Sequence, residues 1–556
     1  MSESDSDERS REMDDPQDND DAVEQFSHLS IGEIEEAHDE HLGRLEKILS
    51  GHSLSYKDFG LLKEILFVTV IAMAQFLTQA GLAQAIAPLH YIGNSFNVTN
   101  AGELSWFAAS YSLTVGTFIL PAGRFGDLFG SRKIFIIGWA WFALWTLIAG
   151  FAVYCSSQIL FHFCRALQGI GPAMLLPNGL ALLGRSYPSG TMRKNMVFCV
   201  FGAVAPIGFL VGAVFDGIFA QFVWWPWTYW VGAMIMALIF VLAIVVVPIE
   251  LDKHAITNFH FEDIKRLDPF GSVAGVLGLV LFNIAWNQGP VVGWTTPYTY
   301  VLLILGVLFF ISFGIIEFKY TDYPILPMEY ITTDTLFVAG CISLGWASFG
   351  IWIYYWWQIS EMLRDHSILL TAAQQVPAGI SGGCAAILTG YLLGKMRPQI
   401  IMIFALTAFC VGNILMGTVP IHQLYWFQTF FSMWIMPLGM DMSFPSATII
   451  MSNAMPREHQ GLAASLVNTV VNYSVSIGLG IAGTVESRIN RTGDELLKGY
   501  RSAYYVAIGL SGAGIILAFL GTLESFHEDR VKARLSSQEG IEELERSGET
   551  YEKEGA

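Results

Sequence analysis

Three ionisable side chains lie where hydrocarbon should be. Arg165, Asp216 and Asp441 each fall inside a run of roughly 20 mostly apolar residues, long enough to cross a bilayer. A charge at that depth is expensive, so such residues face a partner or a water-filled cavity and mark proton, ion or substrate paths. A partly desolvated carboxyl can alternate between charged and neutral forms near physiological pH, as a proton carrier must. Asp441, deep in the twelfth run, and Asp216, toward the outer half of the fifth, are therefore the candidates for proton coupling, with Arg165 as the accompanying cation. Asp216 has a second reading, as a structural hydrogen-bonding group or the partner of Arg165. Arg165 and Gln168 are three residues apart and share a helix face, and snorkelling from the helix end is the other reading of the arginine.

Amides and aromatics in the same runs supply the rest of a cavity. Gln79, Gln168, Asn283, Gln358, Gln375 and Asn468, with Tyr111, Trp346 and Tyr354, are the candidates for substrate contact. Each by itself reads as glue between helices, yet polar groups in spans turn toward the bundle interior. Together they describe an amide-rich, aromatic cavity for neutral or weakly charged small molecules. No phosphate-binding lysine motif is present, the histidines lack metal spacing and the six cysteines form no disulfide framework. The expectation is a protein with no enzyme activity, cofactor, metal or nucleic acid partner. Its partners are a small-molecule substrate, protons and the lipid bilayer, and it acts as a monomer.

Long apolar helices must position these residues. The chain has 556 residues, 53% of them apolar and only 14% charged, the composition of an all-α polytopic membrane protein. Fourteen apolar runs lie between residues 65 and 523, so both tails share one side. The tails are acidic, with 18 Asp/Glu against 5 Lys/Arg in residues 1–58 and 10 against 5 in residues 523–556. They read as solvated appendages, the first largely disordered. Loops on the tail side hold thirteen Lys/Arg and those opposite hold five, which puts the tails in the cytosol. Sequons at Asn97 and Asn490 fall on the opposite, glycosylated face. The expected organisation is an acidic tail over 1–59, a six-helix bundle over 60–249, a linker with two extra helices over 250–333, a second six-helix bundle over 334–523 and an acidic tail over 524–556.

One stretch organises the rest. Residues 123–133, Gly-Arg-Phe-Gly-Asp-Leu-Phe-Gly-Ser-Arg-Lys, form a charged, glycine-rich segment between two apolar runs and are expected to make a tight cytosolic turn. Gly123, Gly126 and Gly130 would let helix ends approach, Asp127 would cap a helix start and engage a cation across the bundle interface, and Arg132 and Lys133 would sit at the membrane surface. This segment resembles the signature loop between helices 2 and 3 of the major facilitator superfamily. Arg165-Ala-Leu-Gln168-Gly169 resembles that superfamily's RxxQG motif, whose arginine lies near the proton and substrate path. Gly202-Ala-Val-Ala-Pro206-Ile-Gly208, continuing to Gly212, is similar to the antiporter motif GxxxGPxxGG with Ala205 in place of one glycine; it marks a hinge and favours export. The first run, with Gln79 and Gln84 where many fourteen-span drug:proton antiporters carry an acid, and Trp286-Asn-Gln-Gly-Pro-Val-Val-Gly-Trp294 resemble the fungal aminotriazole-resistance branch of that family.

The resemblance implies two six-helix bundles plus two extra helices. It further implies proton-coupled export of small toxic compounds or secondary metabolites, at the plasma membrane or alternatively the vacuolar membrane. Low-affinity ammonium uptake and borate export are the alternatives within the same fold, and a transporter-like receptor or a channel the alternatives by class.

Overall fold

The computed structural model describes residues 60–98, 100–187, 192–249, 265–326, 331–454, 460–490 and 495–554. The tail over 1–59, residues 250–264 of the linker and the ends of both sequons lie outside the described residues.

The chain enters through α1 (Leu61–Ile86) and a short α2 (Leu89–Ser95), then α3 (Ala101–Phe129), α4 (Ser131–Phe151), α5 (Gln158–Ser186), α6 (Met192–Phe222) and α7 (Pro226–Val246). Two further helices follow, α8 (Pro269–Val292) and α9 (Pro297–Lys319). The remainder is α10 (Thr333–Gln358), α11 (Ile368–Gln374), α12 (Val376–Leu393), α13 (Pro398–Gly417), α14 (Gln428–Asn453), α15 (Gln460–Ile489) and α16 (Leu496–Glu554). Local signals set many of these starts. Asn100 caps α3 by accepting from the Gly102 amide at 2.8 Å, and Ser157 and Thr332 cap α5 and α10 in the same way. Proline opens α7, α8, α9 and α13, where its missing N–H would have had no helical partner.

Twelve segments among the described residues are long and apolar enough to cross a membrane, with α11 and α12 counting as one. α3 and α14 are as long, 29 and 26 residues, but more polar. Both pack against several other helices, so their polar residues meet protein rather than lipid. Each of the fourteen apolar runs read from the sequence lies on one of these helical segments, twelve of which are apolar enough to span, and the protein is an all-α polytopic membrane protein. α16 continues as a helix to Glu554, through the acidic segment after residue 523. That segment is rich in Glu and free of proline, a composition that propagates a helix.

Packing sorts the spans into two groups. α1 and α3–α7 pack on one another, as do α10 and α12–α16. The groups meet along two seams, α3 against α15 and α6 against α11 and α12. α8 lies on α3 and α15 together, and α9 packs on α8.

The 123–133 segment departs from the expected turn. α3 runs on through Phe129, and the reversal is made at Gly130, whose φ of 105° suits glycine. Gly126 is used for contact: a Cβ there would overlap the amide oxygen of Asn178 on α5, while Asn178 Nδ2 donates to Ala122 O at 3.1 Å and Met174 O at 2.8 Å. Gly123 is roomier, its nearest neighbours at 3.6 Å being Pro177 and Ser465. Gly126→Ala is therefore expected to lower stability by about 1–3 kcal/mol, as overpacking does, and Gly123→Ala to be tolerated. Thermal unfolding of the two purified variants checks this, and equal melting temperatures would refute the contact role of Gly126.

Candidate functional site

Arg165 is fully buried in α5, so it does not snorkel. Its guanidinium has three partners: Nε donates to Phe107 O at 3.1 Å, Nη1 to Gln168 Oε1 at 2.6 Å and Nη2 to Gly81 O at 2.8 Å. The Tyr111 ring lies 4.5 Å from its Cζ, and the Tyr229 ring 5.9 Å. Gln168 passes the network on, donating to Gln84 Oε1 at 3.1 Å and to Thr146 Oγ1 at 2.8 Å. Tyr111 donates to Thr78 O at 2.8 Å and Tyr229 to Gln84 O at 3.0 Å. Five helices, α1, α3, α4, α5 and α7, are thus tied to one cation whose hydrogen-bond partners are neutral. Asp216 of α6 is buried within electrostatic range of Arg165, and its Oδ2 has no hydrogen-bond partner.

The hinge glycines of α6 serve a close approach. A Cβ on Gly208 would run into the Phe76 carbonyl of α1, and one on Gly212 would stand 2.8 Å from Ala80 Cα. The other face of α6 meets the second group of helices. Ile368 and Leu369 lie against Gly217, Leu210 lies against Gly379, and Pro206 lies against Gly382. One turn further toward the tail side, Gly202 meets nothing within 4 Å. The seam is packed from Pro206 toward its far end, and a Cβ at Gly202 would meet open space.

Asp441 sits at that divide. A Cβ built on Gly382 would stand 2.9 Å from both Asp441 Oδ2 and Pro206 Cγ, so Gly382 is the common floor for the α14 carboxyl and the α6 proline. Asp441 Oδ2 is buried without a hydrogen-bond partner. A carboxyl placed there can change charge only if water or a proton donor reaches it, and it lies at the last of these packed contacts toward the tail side.

The remaining candidates are dispersed. Gln79 is half-buried on α1. Gln358, at the end of α10, forms a 2.8 Å hydrogen bond with His90 of α2, bridging the two groups of helices at the far end. Gln375 Oε1 is buried without a partner, and Asn468 turns its amide N–H onto Ala464 O within α15. Trp346 donates to Ser443 Oγ at 3.2 Å and packs edge-on to Phe349, while Tyr354 packs edge-on to Tyr355. Asn283 is placed by α8 in a clasp, accepting from Asn287 Nδ2 at 2.9 Å and from Ser476 Oγ of α15 at 3.0 Å. Expected as a cavity residue, it is engaged in holding α8 to α15.

Asp127 lies in the last turn of α3 rather than at a helix start, and its Oδ1 is 3.4 Å from Arg185 Nη2 of α5, a cation within the same group of helices. Arg132 closes the end of α7, donating through Nε to Val247 O at 2.8 Å and through Nη2 to Ile244 O at 2.9 Å. Of the sequon asparagines, Asn97 is exposed and Asn490 Oδ1 accepts from the Glu495 amide.

Sequence reasoning missed Thr146, Tyr229 and Glu486 and did not assign Gln84 a place in the network. Gln84 carried a signal, one turn beyond Gly81 on the Arg165-facing side of α1. Glu486 lies in the last turn of α15, past its apolar stretch, where an acid reads as a hydrated helix end.

Comparison with known proteins accords with this architecture. A sequence model of the Major Facilitator Superfamily matches residues 67–372 and 335–547. The chain is 55% identical to a low affinity ammonium transporter of Saccharomyces cerevisiae, over 90% of this chain and 96% of that one. It is 45% identical to an efflux pump of Aspergillus terreus, over 86% and 91%, and 37% identical to the aminotriazole resistance protein of Saccharomyces cerevisiae, over 86% and 87%. A crystal structure of a POT family transporter shares the fold, with a TM-score of 0.61 at 16% identity over 85% of this chain and 98% of that one.

Proposed function

This chain belongs to the major facilitator superfamily, in its fungal drug-efflux branch, and on that premise we propose that it exports small toxic compounds or secondary metabolites in exchange for protons. Both tails are then cytosolic, the membrane is the plasma membrane, Asn97 and Asn490 are the glycosylated face, and one chain is the working unit. The two groups of helices rock against each other to expose the path to the two sides of the membrane in turn.

The observation that carries the reading is the placement of Asp441 against Gly382 and Pro206 at the divide of the α6–α12 seam. A charge change at Asp441 there alters whether the seam can close dry, and Pro206, with no N–H to give the helix, is where α6 can bend. Arg165 and its neutral partners hold the first bundle rigid beside the path, and Gln79, Gln375 and Asn468 offer amides for polar organic substrates. One proton crossing 100 mV releases about 2.3 kcal/mol, enough for a concentration ratio of about 50-fold.

The test is radiolabel flux in inside-out vesicles. Uptake of aminotriazole-like compounds is expected to rise when the vesicle interior is acidified. A second reading, ammonium uptake, is favoured by the relative of 55% identity. Entry of an ammonium analogue into intact cells through the protein, with no toxic compound leaving, would replace the export reading.

A further inference from the structure

One buried carboxyl of the second bundle takes no part in the sites above. Glu486 is 2% exposed and one turn from the outer end of α15. Its Oε2 accepts a 2.6 Å hydrogen bond from the Tyr355 hydroxyl of α10, and its Oε1 has no hydrogen-bond partner. Across from it, Gly499 of α16 leaves room, since a Cβ there would stand 3.1 Å from Glu486 Cγ. The titratable groups that face it are phenols: Tyr354 and Tyr355 of α10 and Tyr500 of α16, and Glu361 is also within electrostatic range of Tyr500. α3, α5, α8 and α14 also pack on α15, and among the described residues none of them brings a charged side chain to Glu486. As an acid the group keeps its Tyr355 bond and adds a donor of its own; as a carboxylate it needs water.

α10 connects this group to the seam between the bundles. Three residues beyond Tyr355, Gln358 makes its 2.8 Å bond to His90, and the chain then enters a π-helical turn, Ile359–Leu363. Such turns are local defects that recur at functional sites. Burial holds the His90 imidazole below its usual range despite the Gln358 bond, so the neutral ring makes that contact.

We propose that Glu486 is an outer proton-binding site whose protonation seats α10 against α15 and α16 and so closes the His90–Gln358 seam. One proton passes from outer water to a carboxylate oxygen, and no other bond changes. The proposal rests on the proton-coupled reading above: the proton returns an emptied exporter to the state open to the cytosol.

The experiment replaces His90 and Gln358 with cysteine in the full chain, with the exposed Cys155 and Cys384 changed to serine, and measures linking by a short bifunctional thiol reagent against outer pH. No imidazole then remains at that contact to titrate. Linking is expected to be several-fold higher at acid outer pH than at alkaline pH. Glu486→Gln is expected to hold it high at every pH. Tyr355→Phe, which removes the donor that stabilises the carboxylate, is expected to shift the response to about tenfold lower proton concentration. Should Glu486→Gln not fold, the Tyr355→Phe shift decides. A response that is flat in the parent, or unchanged by either variant, overturns the proposal. Asp441→Asn in the same background separates the two readings: it leaves the linking response intact while flux loses its dependence on the pH gradient.

Discussion

Arg165→Lys is expected to express and to transport at least about 100-fold more slowly, and Arg165→Ala to fail to reach the membrane in folded form. The guanidinium serves three acceptors in three directions, Phe107 O, Gln168 Oε1 and Gly81 O, on three helices. An ammonium keeps the charge but cannot span that fork, and alanine leaves all three acceptors without the donor. Each buried acceptor left unpaired costs about 1–3 kcal/mol, so the alanine variant loses several kcal/mol against a typical total stability of about 5–15 kcal/mol. For lysine, a 100-fold slower rate corresponds to about 2.7 kcal/mol of lost stabilisation. Flux in vesicles, normalised to folded protein by size-exclusion chromatography, measures both effects. Wild-type rates in Arg165→Lys would reduce the network to packing around a tolerated cation.

Asp441→Asn is expected to abolish transport driven by a pH gradient and to leave substrate exchange at zero gradient measurable. An amide has the shape of the acid but a single charge state, so it fits the floor made by Gly382 and Pro206 without binding and releasing a proton. Gly382→Ala is the companion variant. Its methyl would press on Asp441 Oδ2 and Pro206 Cγ, each 2.9 Å away, and it is expected to slow exchange and driven transport alike. Counterflow and gradient-driven uptake, measured on the same vesicles, distinguish the two patterns. Unchanged gradient dependence in Asp441→Asn would move proton coupling to Asp216, whose buried Oδ2 also lacks a partner.

Much of this protein was legible in the sequence because a bilayer simplifies the reading. Backbone groups in hydrocarbon must be satisfied within the helix, so an apolar run of sufficient length has one outcome, and all fourteen runs are helical. Arg165 and Gln168 were placed on one face by their spacing, and they do bond to each other. The family followed from short motifs whose residues are constrained by backbone contact, as Gly208 and Gly212 are by α1.

What spacing along one helix does not specify is the neighbour across the gap. Asn283 and Gln168 are both amides in apolar runs, yet one clasps α8 to α15 and the other relays from Arg165 to Gln84 and Thr146. The turn at 123–133 looked like a loop because glycine and charge are loop residues, but Asn178, 52 positions beyond Gly126, makes that glycine a helix contact. Asp127 and Arg185 come within 3.4 Å of each other because both lie at the tail-side ends of α3 and α5, which pack together. By itself, then, the sequence determined the all-helical membrane architecture, the family and several of the polar residues that are buried, Arg165 and Gln168 among them. Only the tertiary structure decided which of those residues share a site, because hydrogen bonds between helices depend on which faces meet, and that is set by packing across the whole bundle.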